Sequence, residues 1–231
     1  MNFPDLPGRL AQARDRIRFH QARGGFSHPV CIVAVTKAQG AEAVRAAVAA
    51  GLEDVGENRV QEALAKQDEV GALPVRWHLI GTLQRNKVRQ AIGRFELIHS
   101  VDRIELVEEL HRRLATRGDA RQSVLVEVNC SGEAAKSGVD PEFLESLLEA
   151  VRASPFLELR GLMTLAALSE EEPVQRAAFG RLRHLRDRMQ GAGYSLPELS
   201  MGMSGDFPVA VEEGATMVRL GTLLFGERPH E

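Results

Sequence analysis

Lys37 closes the run Val30-Cys-Ile-Val-Ala-Val-Thr-Lys37, in which apolar, mostly β-branched residues lead to a hydroxyl and then an amine. Bounded by Pro29 and Gly40, so short a run reads as a fully buried strand, with its amine where apolar walls meet a cleft. Desolvation at such a place disfavours an ammonium, so the amine can act as a nucleophile near neutral pH. An amine of that kind forms a Schiff base with an aldehyde, and pyridoxal 5′-phosphate (PLP) is the commonest aldehyde cofactor. A strand-end lysine can equally point to water, so its meaning depends on what the rest of the chain brings beside it.

Two glycine-bearing turns give it company. Ser200-Met-Gly-Met-Ser-Gly-Asp206 and Arg219-Leu-Gly-Thr-Leu-Leu-Phe-Gly226 each follow an expected strand and open a helix. Small residues there let backbone amides approach an anion, and the helix start adds its positive end. One such turn could be mere strand-to-helix geometry; two, with a strand-one lysine, point to a phosphate site. Arg219 could pair with Glu212 or Glu213. If it instead faces a cofactor ring, a guanidinium can only donate, which keeps a pyridine nitrogen unprotonated and the ring a weak electron sink. His78, in Trp77-His-Leu-Ile-Gly81, is either a core histidine or a ring-stacking or acid–base group. Asn58 is either a turn residue or a donor to the cofactor's phenolate oxygen. Lys136, in the polar loop Ser131–Gly138, is a possible anion contact, and Met163, Met201 and Met203 read as filler near a rim.

The elements that must position these groups alternate. A helix is expected over about 6–23, with Leu10, Ala13, Ile17 and either Phe19 or His20 on its apolar face. Strands are expected near 30–37, 54–58, 76–81, 95–100, 123–129, 157–164, 198–203 and 216–220, with helices between them. One of those helices is expected to open on Asp140 as N-cap with Pro141 at its first position. Neither a composition break nor a structureless linker interrupts the pattern, so the chain reads as one domain, residues 1–231. The fold class is α/β: a single (β/α)8 TIM-type barrel with an additional N-terminal helix. A doubly wound open sheet shares the alternation, but a count near eight favours closure. In a closed barrel the chemistry gathers at the C-terminal strand ends, where Lys37, Asn58, His78, Asn129, Thr164, Ser204 and Arg219 fall.

The bulk numbers exclude other classes. Of 231 residues, 29 are basic and 32 acidic, a net charge of −3 with no basic block, which argues against nucleic acid or an anionic membrane surface as the main partner. Cys31 and Cys130, each expected inside a strand and without metal-type spacing, read as buried thiols in a reducing compartment. The start, Met1-Asn-Phe-Pro-Asp-Leu-Pro7, lacks a basic-then-apolar leader and no stretch approaches membrane-spanning length, so the cytoplasm is expected. No metal is expected.

Val33-Ala-Val-Thr-Lys37, Gly56-Glu-Asn-Arg-Val-Gln-Glu62, Trp77-His-Leu-Ile-Gly-Thr-Leu-Gln-Arg-Asn-Lys87, Asn129-Cys-Ser-Gly-Glu-Ala-Ala-Lys-Ser-Gly138, Gly161-Leu-Met-Thr164, Leu199-Ser-Met-Gly-Met-Ser-Gly-Asp206 and Val218-Arg-Leu-Gly-Thr-Leu-Leu-Phe-Gly226 run in order over nearly the whole chain. In these motifs the sequence resembles the pyridoxal phosphate homeostasis protein family. The resemblance implies a barrel similar to the N-terminal domain of alanine racemase, with PLP held on Lys37 as an internal aldimine. It implies phosphate contacts from Ser204 and the Gly221-Thr222 turn and a ring-nitrogen contact from Arg219. Asn58, His78 and Met203 complete the expected cofactor-binding set. Arg59 stands where the family frequently has tyrosine and Thr82 where it often has histidine, departures that bear on the mouth of the pocket. The implied role is that of a carrier or regulator of B6 vitamer and amino-acid pools, without established turnover; a monomer is expected, with apo PLP-dependent enzymes as possible recipients of PLP.

The alternative is a PLP-dependent amino-acid racemase. Racemisation needs bases on opposite faces of the Cα. Lys37 could serve one; by the racemase resemblance, the other would be a tyrosine from a second, C-terminal β domain. The sequence reaches Glu231 directly after its last turn, and its one tyrosine, Tyr194, is expected in a helix-to-strand loop at the opposite end of the barrel. The carrier is therefore the preferred reading, with no catalytic residue assigned.

Overall fold

Runs of β-branched and apolar residues four to seven long alternate with amphipathic helices, and the sheet they form closes on itself. The computed structural model of the chain describes residues 3–118, 120–132, 137–167 and 169–227. Helix α1 (Leu6–Gly24) precedes β1 (Cys31–Val35), α2 (Ala41–Ala49), β2 (Asp54–Glu57), α3 (Val60–Val70) and β3 (Arg76–Leu79). A 3₁₀ turn (Arg85–Lys87) and the short α4 (Val88–Ala91) lead to β4 (Leu97–Val101), α5 (Ile104–Leu114) and β5 (Gln122–Glu127). Then come α6 (Leu144–Arg152), β6 (Leu157–Met163), α7 (Glu172–Gly191), β7 (Glu198–Met203), α8 (Phe207–Glu212), β8 (Met217–Leu220) and α9 (Thr222–Phe225). Each strand pairs in parallel with the next, and β8 returns to β1 with Val33 opposite Arg219, so the expected eight-stranded barrel is closed.

Side chains alternate across the barrel wall, as the two-residue strand period requires. Ile32, Ala34, Val55, Trp77, Leu79, Ile98, Leu162, Leu199 and Val218 face outward into the large core shared with the helices. The barrel interior holds a small apolar cluster, Leu97, Leu125 and Met163, with buried Val33 on β1; His78, His99, Ser200 and Arg219 are buried polar residues there. Helix α1 buries Leu6, Leu10, Ala13 and Ile17 and packs against α8 and α9. Phe19 stays exposed, whereas His20 reaches Glu212 at 2.6 Å, which settles the choice between them.

Three local expectations need correction. Asp140 and Pro141 do not open α6: the Asp140 carboxylate accepts from the Glu142 amide at 3.0 Å, an Asx turn that delays the helix to Leu144. The helix expected from about Gln84 to Ile92, after the third strand, divides into the 3₁₀ turn and α4. Cys130 is buried but lies beyond β5, and Cys31 is half-buried; both are free thiols. Lys136 falls outside the described residues. Among the described residues, no helix is long and apolar enough to cross a membrane, and no cluster of three potential metal ligands occurs.

Candidate functional site

Lys37 follows β1 by two residues, in a turn whose backbone is held from outside the barrel wall. The Thr36 carbonyl accepts from the Gln39 amide at 3.0 Å and from Lys66 Nζ at 2.6 Å. Lys66, buried on α3, also donates to Glu57 Oε1 at 2.5 Å, and the Thr36 hydroxyl donates to that same oxygen at 2.5 Å. Glu57 is wholly buried. Burial pushes its carboxyl above the usual range, against the pull of the Lys66 ammonium and the Thr36 hydroxyl. Beyond Lys37 sits Ala38, with φ 59°, the one non-glycine residue in the left-handed region among those described. Strain of this kind persists where surrounding contacts over-determine the backbone, and the Lys66–Glu57–Thr36 cluster supplies them.

The turn opens onto a cavity of about 300 Å³ at the C-terminal ends of the strands, at the lower end of the range for small-molecule sites. Lys37 and Val35 border it from β1, Asn58 from β2, and Arg219 from β8. Met203, Ser204 and Gly205 approach from the end of β7, and Gly221 and Thr222 from the turn into α9. Ile80, Leu165 and Phe225 supply apolar wall, suited to the faces of a flat ring. Asn58 is brought close by Gly81, where a Cβ would lie 2.4 Å from the Asn58 carbonyl oxygen.

At the paired turns, the Ser204 hydroxyl oxygen accepts from the amides of Gly221 and Leu223, each at 3.2 Å. Two backbone donors thus converge on one oxygen beside small residues, the arrangement an anionic oxygen needs. The β7 end reaches this point because Gly202 takes φ +92°, where a Cβ would meet that of Ala210 at 2.6 Å. Asp206 then accepts the Met203 amide at 2.5 Å and fixes the turn.

Arg219 pairs with neither Glu212 nor Glu213, which are taken by His20, Arg23, Arg176 and Arg183. Its Nη1 donates to the Ser200 carbonyl at 2.8 Å and to Ser200 Oγ at 2.6 Å, and its Nη2 to the Thr164 carbonyl at 2.9 Å. Those bonds use three of the five guanidinium N–H groups and hold the plane rigidly at the cavity. Burial lowers its pKa to about 10, with Asp206 and Glu127 opposing, so it stays a cation and a donor at neutral pH.

Seven of the eight residues expected to bind the cofactor therefore border one cavity: Lys37, Asn58, Met203, Ser204, Arg219, Gly221 and Thr222. His78 does not border it. It projects into the barrel interior and bonds Asp54 at 3.0 Å and His99 at 2.9 Å. Of the methionines, Met163 and Met201 are buried, while Met203 is 38% exposed at the cavity. Arg59 is exposed and pairs with Glu62. Tyr194 lies between α7 and β7, at the opposite end of the barrel, with its hydroxyl donating to Glu149 at 3.1 Å. Glu57 and Lys66 are not among the expected site residues, yet they support the Lys37 turn. The signal for that support was a lysine at the third step of Val60, Ala63, Lys66, the buried face of α3.

The donor set fits a phosphorylated pyridine aldehyde: an amine, an anion turn, a fixed cationic donor between them and apolar walls. Comparison with known proteins points the same way. The pattern of the alanine racemase N-terminal domain family matches residues 10–229. The pyridoxal phosphate homeostasis protein of Pseudomonas aeruginosa is 46% identical, over 96% of this chain and 95% of that protein. That of Aquifex aeolicus is 44% identical over 96% and 98%. The solved structure of PipY from Synechococcus elongatus, with PLP bound, superposes with a TM-score of 0.84 at 39% identity, covering 96% of this chain and all of that one.

Proposed function

The chain belongs to the pyridoxal phosphate homeostasis protein family, which shares the alanine racemase N-terminal fold, and from that membership we propose that it binds PLP covalently at Lys37. It acts in intracellular PLP homeostasis, as a carrier that keeps a reactive aldehyde from modifying other amines. The observation that carries this reading is the convergence of an amine, an anion turn and a cationic ring donor on one cavity. When bound, PLP supplies an aldehyde for the amine and a conjugated ring that can accept electrons.

The chain's own residues limit that chemistry. Lys37 presents its Nζ to the aldehyde. Ser204, Gly221 and Thr222 receive the phosphate. Arg219 donates to the ring nitrogen and, being cationic, cannot give it a carboxylate partner that would favour its protonation. The site thus holds the ring well and stabilises a developing carbanion poorly. Tyr194 lies at the far end of the barrel and offers no base on the second face of a Cα, so retention rather than racemisation is the function. Cytoplasmic location, a monomeric state, and hand-over of PLP to apo PLP-dependent enzymes complete the proposal.

The test is covalent. Purified protein given PLP should show an absorbance band near about 420 nm, and borohydride should fix the cofactor on the peptide bearing Lys37, read by mass. In Lys37→Ala both should vanish; an unchanged band, or fixation elsewhere, overturns the assignment. Steady exchange of the Cα hydrogen of L-amino acids for deuterium by the PLP-loaded protein would overturn the carrier reading in favour of the racemase.

A further inference from the structure

A single file of five polar side chains crosses the barrel from its floor to the cofactor cavity. Asp54, at the start of β2, meets His78 Nε2 at 3.0 Å. His78 Nδ1 meets His99 Nε2 at 2.9 Å, and His99 Nδ1 meets Ser200 Oγ at 2.9 Å. Ser200 Oγ accepts from Arg219 Nη1 at 2.6 Å. His78, His99, Ser200 and Arg219 are each at most 3% exposed. Asp54 borders a separate cavity of about 620 Å³ at the barrel floor, together with Cys31 and Arg76.

The chemistry of the partners gives the file one polarity. The Asp54 carboxylate only accepts, and although burial pushes its carboxyl up, the bonds from His78 and Arg76 hold it well below the usual range. A His78 ring bearing a single proton therefore carries it on Nε2, which leaves Nδ1 as an acceptor. His99 must then donate from Nε2 and accept at Nδ1. Burial, as the largest cause, holds its pKa well below the usual value, so the ring is neutral. Ser200 supplies the proton for His99 Nδ1 and turns a lone pair to Arg219, which can only donate. Every hydrogen bond thus runs from Arg219 towards Asp54, and each nitrogen or oxygen along the file is satisfied.

We propose that Asp54, His78, His99 and Ser200 are positioning residues for Arg219: they hold its guanidinium through a hydrogen-bonded file whose polarity is set at the barrel floor, and so fix it as a donor to the ring nitrogen of a bound pyridine. This rests on the PLP reading for its last step only. Barrel interiors are ordinarily filled with bulky aliphatic side chains, and burying polar groups is tolerated only where each is paired. A directed file gives those groups a function that aliphatic packing would not.

The test separates the file from the cofactor. In the full chain labelled with ¹⁵N-histidine, long-range ¹H–¹⁵N correlations should show His78 and His99 as neutral rings protonated on Nε2. A proton on Nδ1 of either overturns the polarity. In Asp54→Ala a second tautomer should appear at both rings; spectra identical to the unaltered protein overturn the role of the floor carboxylate. Ser200→Thr and Ser200→Val are isosteric with each other and differ in the hydroxyl, so comparing them cancels the shared cost of the added methyl. The valine variant should bind PLP about tenfold more weakly or worse than the threonine variant, with a displaced absorbance band. Equal affinities and equal bands overturn the role of Ser200. Absence of PLP binding by the unaltered protein would overturn the cofactor reading and the last step with it, while the histidine spectra decide the file's polarity independently.

Discussion

Lys66→Met asks whether the amine of the site is held from outside the barrel wall. Methionine keeps an unbranched apolar stem of similar reach and deletes the ammonium, which donates to Glu57 Oε1 at 2.5 Å and to the Thr36 carbonyl at 2.6 Å. Both receiving groups are buried, and Glu57 Oε2 already has no hydrogen-bond partner among the described residues. Removing one member of a buried pair costs about 3–5 kcal/mol, because the other charge is left uncompensated. At about 2–4 °C per kcal/mol for a chain of this size, the melting temperature should fall by roughly 6–20 °C. Glu57 has one escape, which is to bind a proton. Burial already raises its folded-state pKa against the opposing Lys66, and without the ammonium it rises further above the unfolded value. The folded state then binds a proton that the unfolded chain has shed, so the penalty grows as pH rises through that window and shrinks below it. Urea unfolding at about pH 5 and about pH 8 should therefore show the larger loss at the higher pH. Glu57→Gln combined with Lys66→Met should recover part of it, since a neutral amide leaves no buried charge. A loss under about 1 kcal/mol at the higher pH, or the same loss at both, would refute the reasoning.

Two further outcomes follow from the geometry. Gly202→Ala introduces a Cβ 2.6 Å from that of Ala210 and 2.9 Å from the Phe207 Cα, at φ +92°. Thermal unfolding should register a loss of about 2–4 kcal/mol, and PLP titration a weakened phosphate site; an alanine variant matching the parent in both would refute the close-approach argument. Burial and the nearby Asp54 push the Cys31 thiol up to about 12, and burial pushes Cys130 up to about 11. Iodoacetamide should accordingly label the native chain at neutral pH at least about tenfold more slowly than the urea-unfolded chain, read by mass. Equally fast labelling of either cysteine in the native state would contradict the burial assigned to it.

The groups readable in the sequence were those whose chemistry is tied to a strand end. Lys37, Ser204, Arg219 and the Gly221-Thr222 turn each sit where an alternating β/α pattern stops, and a closed parallel barrel brings such ends together whatever lies between. His78 shows what that reasoning cannot reach. Its parity in β3 places it inside the barrel, as the outward-facing Trp77 and Leu79 on either side require. Whether it leans towards the mouth or the floor depends on which side chains meet it across the interior. Those are Asp54 and His99, 24 and 21 residues away, and no local pattern specifies them. The same holds for Asp140, whose N-cap chemistry was recognised but was spent on a turn that precedes the helix.

Both supports of the site meet on one short strand. β2 turns Asp54 inward, to the file that ends on Arg219, and Glu57 outward, to the cluster that holds the Lys37 turn. An odd spacing of three residues in a strand of period two is what puts these two carboxylates on opposite faces of the wall. A one-residue slip of β2 would exchange the faces, leaving a carboxylate in the outer apolar core and another without its lysine. Asn58, which borders the cavity, follows Glu57 directly, so the strand also delivers a third group to the mouth. The guanidinium lies on β8 and the amine in the turn that follows the neighbouring β1, and the supports of that turn and of Arg219 are separate. Each is referred back to β2, one through the helix layer and one through the barrel interior, and their separation across the cavity is thereby set by the register of a single strand rather than by the mobile ends of two long side chains.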